Sequence, residues 1–504
     1  MTTAIVRLKS HFAGWREWEL NPVVIKELRQ AVRSWAVTGV LLLFLTVLFI
    51  ASLGFLITRS FEGDVNNELG SVMFGTYVSI LAGASILFIP LYIGIRVALE
   101  RPESNPDLLY ISTLTPKQII RGKFLSGAYM TVLFFSACMP FMAFTNLLRG
   151  VDLPSVFFIL LTLFLAVCAL NQLAIFLACL PLSRPFKILI ALYGFFQSFW
   201  IIVPLTLGAI RMMHSGVGAM MAERIFWVST ITVLVAGVAV VGLLYVLSVA
   251  LISPPSANRA LPSRLHITLM WLVGGLLCLG WAMQLKDARL IYVWTYLTYP
   301  LMMLALLVSV SNSDQLSRRV QRRIPPSRAR RILAFVFFNG AAGGLIWVAG
   351  ILALTWMATR GIMTLEGTWF PKSAGLAVED RPWFVATTAY AFAYALLGLF
   401  IHRTFLPTRP PKIAGLLAVL LAGLCAIAPC IVLFLINRLS WKSVDGLQLG
   451  NIFNIFFLRE NDHRSYHTWC GLTGLAVTVL LNVRWFWRQV NNFRPPRPEP
   501  PVLE

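Results

Sequence analysis

Long apolar runs separated by short polar stretches pattern this chain. A helix needs about 20 apolar residues to cross a bilayer. Runs of that kind fall at 36–57, 72–97, 125–147, 156–181, 188–210, 225–252, 267–284, 290–311, 332–357, 383–402, 413–436 and 468–486, the seventh being the shortest. The pattern predicts an all-α polytopic membrane protein with about twelve transmembrane helices. Pro90, Pro140, Pro204, Pro300 and Pro429 lie inside spans, where membrane helices tolerate them.

Two polar stretches in the first half carry helical signals of their own. Over residues 21–35, Val24, Leu28, Val32 and Trp35 fall on one helical face, with Lys26, Glu27, Arg29, Gln30 and Arg33 on the other. Asn21-Pro22 supplies the start. This predicts an amphipathic helix in the membrane interface, with its cations on lipid phosphates.

The second stretch, Glu100 to Leu125, is the longest polar interruption in the first half. It carries two helix starts. Asn105 can cap a helix with Pro106 at its first position. Thr115 can cap another with Pro116 first and Gln118 third, a reciprocal capping box. Between them a short helix over 106–113 would expose Leu108, Leu109 and Ile111. Such a helix needs something to bury it. The residues leave two covers open, lipid headgroups or a soluble partner.

Composition supports the membrane assignment. Of 504 residues, 58% are hydrophobic and 12% charged, with mean hydropathy +0.76. Soluble domains carry about 25% charged residues. With the N-terminus inside, 29 of the 42 Lys and Arg fall on the cytoplasmic side. That asymmetry predicts an even number of spans with both termini cytoplasmic. The net charge of +21 would suggest nucleic acid in a soluble protein. Here the densest cluster, seven arginines between Arg318 and Arg331, lies between two spans, so anionic lipid headgroups are the expected partner and nucleic acid is not.

Candidate chemistry is sparse. All 21 Asp and Glu lie outside the span cores, which argues against ion-coupled transport and against an intramembrane aspartyl protease. No G-x-x-x-x-G-K-[ST] run is present, so the chain has no P-loop of its own. The cysteines, among them Cys138, Cys168 and Cys179, sit in or beside spans without a C-x-x-C pair and read as small buried hydrophobes. His463 and His467, with Glu460 and Asp462 nearby, have helical spacing but no H-E-x-x-H arrangement. No metal site and no catalytic set is expected. Asn171 and Gln172 fall in mid-span and need partners inside the protein, with interhelical hydrogen bonding favoured over substrate contact.

The run Glu100-Arg101, Leu108-Leu109, Ser112-Thr113-Leu114-Thr115-Pro116, Ile119-Ile120 and Gly122-Lys123 resembles the first cytoplasmic loop of ABC-2 type transporter permeases. Asn21-Pro22-Val23-Val24-Ile25-Lys26-Glu27-Leu28-Arg29 resembles that family's N-terminal segment. The likeness covers residues 15 to about 210; Ser104-Asn105-Pro106 replaces a G-T pair common in the family. The resemblance implies the membrane-spanning subunit of an ABC transporter, an exporter, in the plasma or inner membrane. It implies a non-catalytic chain with no bound cofactor, and ATP and Mg held by a separate ABC ATP-binding subunit. That subunit would seat on a cytoplasmic coupling helix over 106–113. Glu100, Arg101, Leu108, Leu109, Ile111, Thr115 and Pro116 would serve coupling. Asn21, Pro22, Glu27, Leu28 and Arg29 would form the interfacial helix.

On this reading residues 1–35 are a cytoplasmic N-terminus with the interfacial helix. Residues 36–252 are an ABC-2-like six-span unit with its coupling loop at 98–124, 253–486 a second six-span unit, and 487–504 a disordered Pro-rich tail. Whether twelve spans form the whole pathway or pair with another permease, as homo- or heterodimer, is left open. The alternative is a polytopic enzyme acting on lipid-linked substrates, with the cluster Glu460 to His467 as its sole candidate site.

Overall fold

The structure, a computed structural model, describes residues 21–62, 69–100, 114–147, 152–215, 220–365, 381–436, 448–454 and 461–495. Among these residues there are fifteen helices and no strand. Twelve are long and apolar enough to cross a membrane. The chain is an all-α, multi-pass membrane protein. It divides into two compact units, Met1–Ser253 and Pro254–Glu504.

The first unit holds α1 (Pro22–Val32), α2 (Trp35–Glu62), α3 (Leu69–Leu99), α4 (Pro116–Leu147), α5 (Leu153–Cys179), α6 (Arg184–Ser215) and α7 (Arg224–Ile252). Helix α3 is the hub: α2, α4, α5 and α6 all pack on it, and α7 packs on α5 and α4. Phe74, Tyr77, Leu81 and Phe134 are sealed in the core between them. Outside that core Leu42, Leu43, Phe49 and Ile50 of α2 face outward. A contiguous apolar exterior of that kind requires an apolar solvent.

The polar groups inside this unit bond across helices. Asn171 Nδ2 on α5 donates to Thr131 Oγ1 on α4 at 3.3 Å, and Gln172 Nε2 donates to Ser248 Oγ on α7 at 3.4 Å. Both amides are fully buried. Cys138, Cys168 and Cys179 are buried.

The second unit holds α8 (Ala260–Leu285), α9 (Leu290–Val310), α10 (Arg318–Gln321), α11 (Arg328–Phe337), α12 (Ala341–Thr364), α13 (Arg381–Phe405), α14 (Lys412–Leu435) and α15 (Asn461–Asn492). Helix α13 packs on α14 and α15, and α9 on α8, α12, α13 and α14. Hydrogen bonds again join spans: Trp271 Nε1 to Thr355 Oγ1 at 2.8 Å, and Trp347 Nε1 to Thr268 Oγ1 at 2.9 Å.

One predicted span changes here. The apolar run 332–357 does not form a single helix. Helix α11 ends at Phe337, and α12 begins at Ala341 after Gly340 at φ 140°. Arg264 of α8, 4% exposed, makes the break tolerable. Its guanidinium donates to the carbonyls of Val336 at 2.7 Å, Phe338 at 2.7 Å and Gly340 at 3.1 Å. The Val336 and Phe338 carbonyls lie where α11 has run out of N–H donors, while the Gly340 carbonyl also accepts from the Gly344 N–H at 3.3 Å. Gly344 is required beside them, because a Cβ there would lie 2.5 Å from both Arg264 Nη2 and Ser309 Oγ.

The stretch 437–467, between the last two predicted spans, is structured where it is described. Of its described residues, 448–454 are packed into the second unit, with Gln448, Asn451 and Asn454 buried, and 461–467 already belong to α15. Gly450 N–H donates to Tyr390 Oη at 3.2 Å, and Tyr394 Oη donates to the Gly450 carbonyl.

Candidate functional site

Helix α1 begins as its sequence demands. Asn21 Oδ1 accepts from the Val23 N–H at 3.0 Å, and Pro22 takes the first position, where no N–H is needed. The same Asn21 side chain donates through Nδ2 to the Gln118 carbonyl at 2.7 Å. One residue therefore caps α1 and ties it to the first turn of α4. That turn is closed by its own capping box. Gln118 Oε1 accepts the Thr115 N–H at 2.8 Å, and the Gln118 N–H donates to Thr115 Oγ1 at 3.4 Å.

Gly122 lets the two helices touch. A Cβ at that position would stand 2.7 Å from Val23 Cβ and 3.1 Å from Asn21 Nδ2. With backbones this close, the next residue along α4, Lys123, reaches under α1.

Lys123 Nζ lies 2.9 Å from Glu27 Oε1 and 2.5 Å from Glu100 Oε2. Lys26 Nζ closes on the other Glu100 oxygen, Oε1, at 2.9 Å. Arg96 Nε approaches Glu27 Oε2 at 3.4 Å, and the same guanidinium donates to Tyr92 Oη at 2.8 Å and to Gln30 Oε1. Three cations and two carboxylates thus join α1, the C-terminal end of α3 and the start of α4. Burial alone would push the Glu100 carboxyl up. Hydrogen bonds and charge from Lys123, then from Lys26, outweigh that and hold it below the ordinary glutamate value.

Among the described residues the cluster encloses no ligand-sized cavity. The gap between Glu27, Tyr92, Arg96 and Lys123 has room for about one water. Among the described residues no group of His, Cys, Asp and Glu could hold a metal ion. The arrangement is a mechanical junction: two helices and a loop root locked by charge.

The buried face of α1 differs from the expected stripe. Val24, Glu27 and Ala31 are buried, whereas Val32 is 76% and Trp35 88% exposed. Glu27 turns inward rather than to the polar side because Lys123 and Arg96 meet its charge there. Leu28 is half-buried beside the same gap, and Arg29 is exposed. Thr115 and Pro116 form the start of α4. Arg101, Leu108, Leu109 and Ile111, with the short helix at 106–113, lie outside the described residues.

Sequence reasoning missed Lys123, Arg96 and Gln30 as members of the junction. The adjacent Gly122-Lys123 pair was the available signal. A helix glycine followed by a lysine, just after a predicted cap, marks close approach and a charge that must be met.

In the second unit His467 is fully buried. Its Nδ1 faces Tyr390 Oη at 3.3 Å and its Nε2 faces Asn454 Nδ2 at 3.4 Å. Both ring nitrogens are engaged within the protein.

No family model, curated protein or solved structure matches the chain.

Proposed function

We propose that this chain is the membrane-spanning permease subunit of an ATP-driven ABC transporter, an exporter, with both termini cytoplasmic and ATP hydrolysed by a separate ATP-binding subunit. The observation that carries the reading is the junction of Glu27, Lys123 and Glu100. Glu100 and Thr115 are the two roots of the loop whose residues resemble the coupling loop of ABC-2 permeases. Lys123 and Lys26 bind the first root to α1, and Asn21 binds α1 to the turn that begins at the second. A partner pressing on Leu108, Leu109 and Ile111 would move the loop, α1, α3 and α4 together rather than bend a slack connection. Coupling of this kind needs a bistable element biased by nucleotide, which the ATP-binding subunit supplies.

The absence of a P-loop and of a carboxylate in the span cores is consistent with energy drawn from a partner. Mild-detergent purification of the tagged chain from its native membrane, with identification of co-purifying proteins, tests the reading. A stoichiometric ATP-binding subunit is expected, lost with Leu109→Asp while the chain remains folded. Recovery of the chain with no ATPase under crosslinking conditions would overturn it. So would ATP-dependent transport that survives Leu109→Asp.

A further inference from the structure

The segment between α9 and α12 is built as a folded basic platform. Helix α10 is capped by Ser317, whose Oγ accepts from the Val320 N–H at 3.3 Å and donates to the Ser256 carbonyl at 2.8 Å. The chain then turns back through Pro325 and Pro326, whose carbonyls accept from the Arg331 guanidinium at 3.4 and 2.7 Å. Val320 and Ile324 are buried against Ala334, Phe338 and Phe493. Arg264 anchors the far end of α11 through the three carbonyls described above.

This scaffold points its charge outward. Arg318, Arg319, Arg322, Arg323, Arg328 and Arg330 are all exposed. None pairs with a carboxylate among the described residues. The sequence from 315 to 337 contains no Asp or Glu. Beside them on α11, Ile332 is 68% and Leu333 63% exposed. Helix α11 runs, after the break at Gly340, into a candidate span.

We propose that α10 and α11 form a binding site for the phosphate headgroups of anionic phospholipids. The arginines lie on the phosphates, and Ile332 and Leu333 sit in the acyl boundary. Charge complementarity and geometry select this occupant. An unneutralised arginine surface continuous with exposed aliphatic side chains, between two spans, matches the headgroup layer in both charge and polarity. A nucleic acid or an acidic protein would satisfy the arginines and leave Ile332 and Leu333 in water. Guanidinium groups favour phosphate through paired donors in a fixed plane. The inference does not depend on the transporter reading.

The test is native mass spectrometry of the full chain in mild detergent, with phosphatidylglycerol and phosphatidylcholine added in equal amounts. The wild type should retain phosphatidylglycerol preferentially. Substituting Arg322→Gln, Arg323→Gln, Arg328→Gln and Arg330→Gln together should reduce that preference by about tenfold or more, because each cation near an anionic surface adds to the attraction. The same four positions changed to Lys provide a folded, charge-retaining comparison and should keep most of it. Raising salt should weaken the preference of the unmodified protein. Equal retention of the two lipids by the wild type would overturn the site. So would a preference that survives the Gln substitutions, or displacement of phosphatidylglycerol by a DNA duplex or by soluble glycerophosphate.

Discussion

Lys123 Nζ lies 2.9 Å from Glu27 Oε1, with both side chains only 8% exposed and the residues 96 positions apart in sequence. A buried ion pair is not in itself a source of net stability, since desolvation offsets much of the attraction. Its consequence is specificity. Helix α1 can slide or rotate on α4 only by leaving a charge unmet, so the pair sets its register. Glu100 adds the loop root to the same lysine, so one cation ties the three elements together.

Removing one partner should therefore cost more than removing both. Lys123→Met strands Glu27 with only Arg96 at 3.4 Å and frees one oxygen of Glu100. A loss of about 3–5 kcal/mol is expected. Combining Lys123→Met with Glu27→Gln removes the unmet charge and should recover much of that loss. Unfolding in detergent of the two single variants and the double variant measures the coupling. Additive effects would show that the pair does not set the register of α1.

The acid limb of stability should carry a contribution from Glu100. Its folded-state carboxyl is held below its unfolded value, so the stabilisation is present above the ordinary value of 4.5 and is lost as pH falls through the lower folded value. The difference in melting temperature between wild type and Glu100→Gln should be largest near neutral pH and shrink in that acid window. A difference that grew with acid would reverse the sign and contradict the Lys123 and Lys26 contacts.

Gly122 should be intolerant of any side chain. In Gly122→Ala the new Cβ meets Val23 Cβ at 2.7 Å, an atom fixed to the α1 backbone that cannot rotate away. Helix α1 must lift from α4 at a cost of about 1–3 kcal/mol. Lifting also stretches the bond from Asn21 to the Gln118 carbonyl. Hydrogen exchange should then quicken across 23–32 while the amides of α3 keep their protection. Unchanged exchange in α1 would mean that the contact is not what holds it.

Much of the fold was legible because a span announces itself by length and polarity alone. The caps at Asn21 and Thr115 were legible for the same local reason, since a helix start needs side-chain acceptors within three residues. What escaped were features set by distant residues. The periodicity of α1 placed Glu27 on the polar face, because nothing within the helix reveals that Lys123 waits 96 residues away. The apolar face of α11 merged with α12 into one run. Asn339-Gly340 hints at the break, but Arg264, on α8, supplies the donors for the Val336 and Phe338 carbonyls that the break leaves open. The ion junction was half visible: the loop root at Glu100 and the helix at Asn21 were singled out, while the lysine that joins them stood only in the Gly122-Lys123 pair leading into the third span.

The mid-span amides should behave very differently from the ion pair. Asn171 Nδ2 has only the long bond to Thr131, and Asn171 Oδ1 and Gln172 Oε1 are buried without accepting a hydrogen bond among the described residues. Replacing either amide strands nothing. Thr131 Oγ1 still donates to the Gly127 carbonyl at 2.9 Å, and Ser248 Oγ to the Leu244 carbonyl at 2.7 Å. Asn171→Leu and Gln172→Met keep similar volume and remove an unsatisfied acceptor, a change that is often neutral or stabilising. Each should shift unfolding by less than about 1 kcal/mol, or raise stability. Co-purification with the proposed ATP-binding subunit should be unaffected, because the hydrogen bonds of both amides go to Thr131 and Ser248 and not to the loop roots. A loss of several kcal/mol would show that the amides hold α4, α5 and α7 together more strongly than their geometry allows. Intact folding and assembly with loss of transport would instead place Asn171 and Gln172 on the substrate path rather than in the packing between helices.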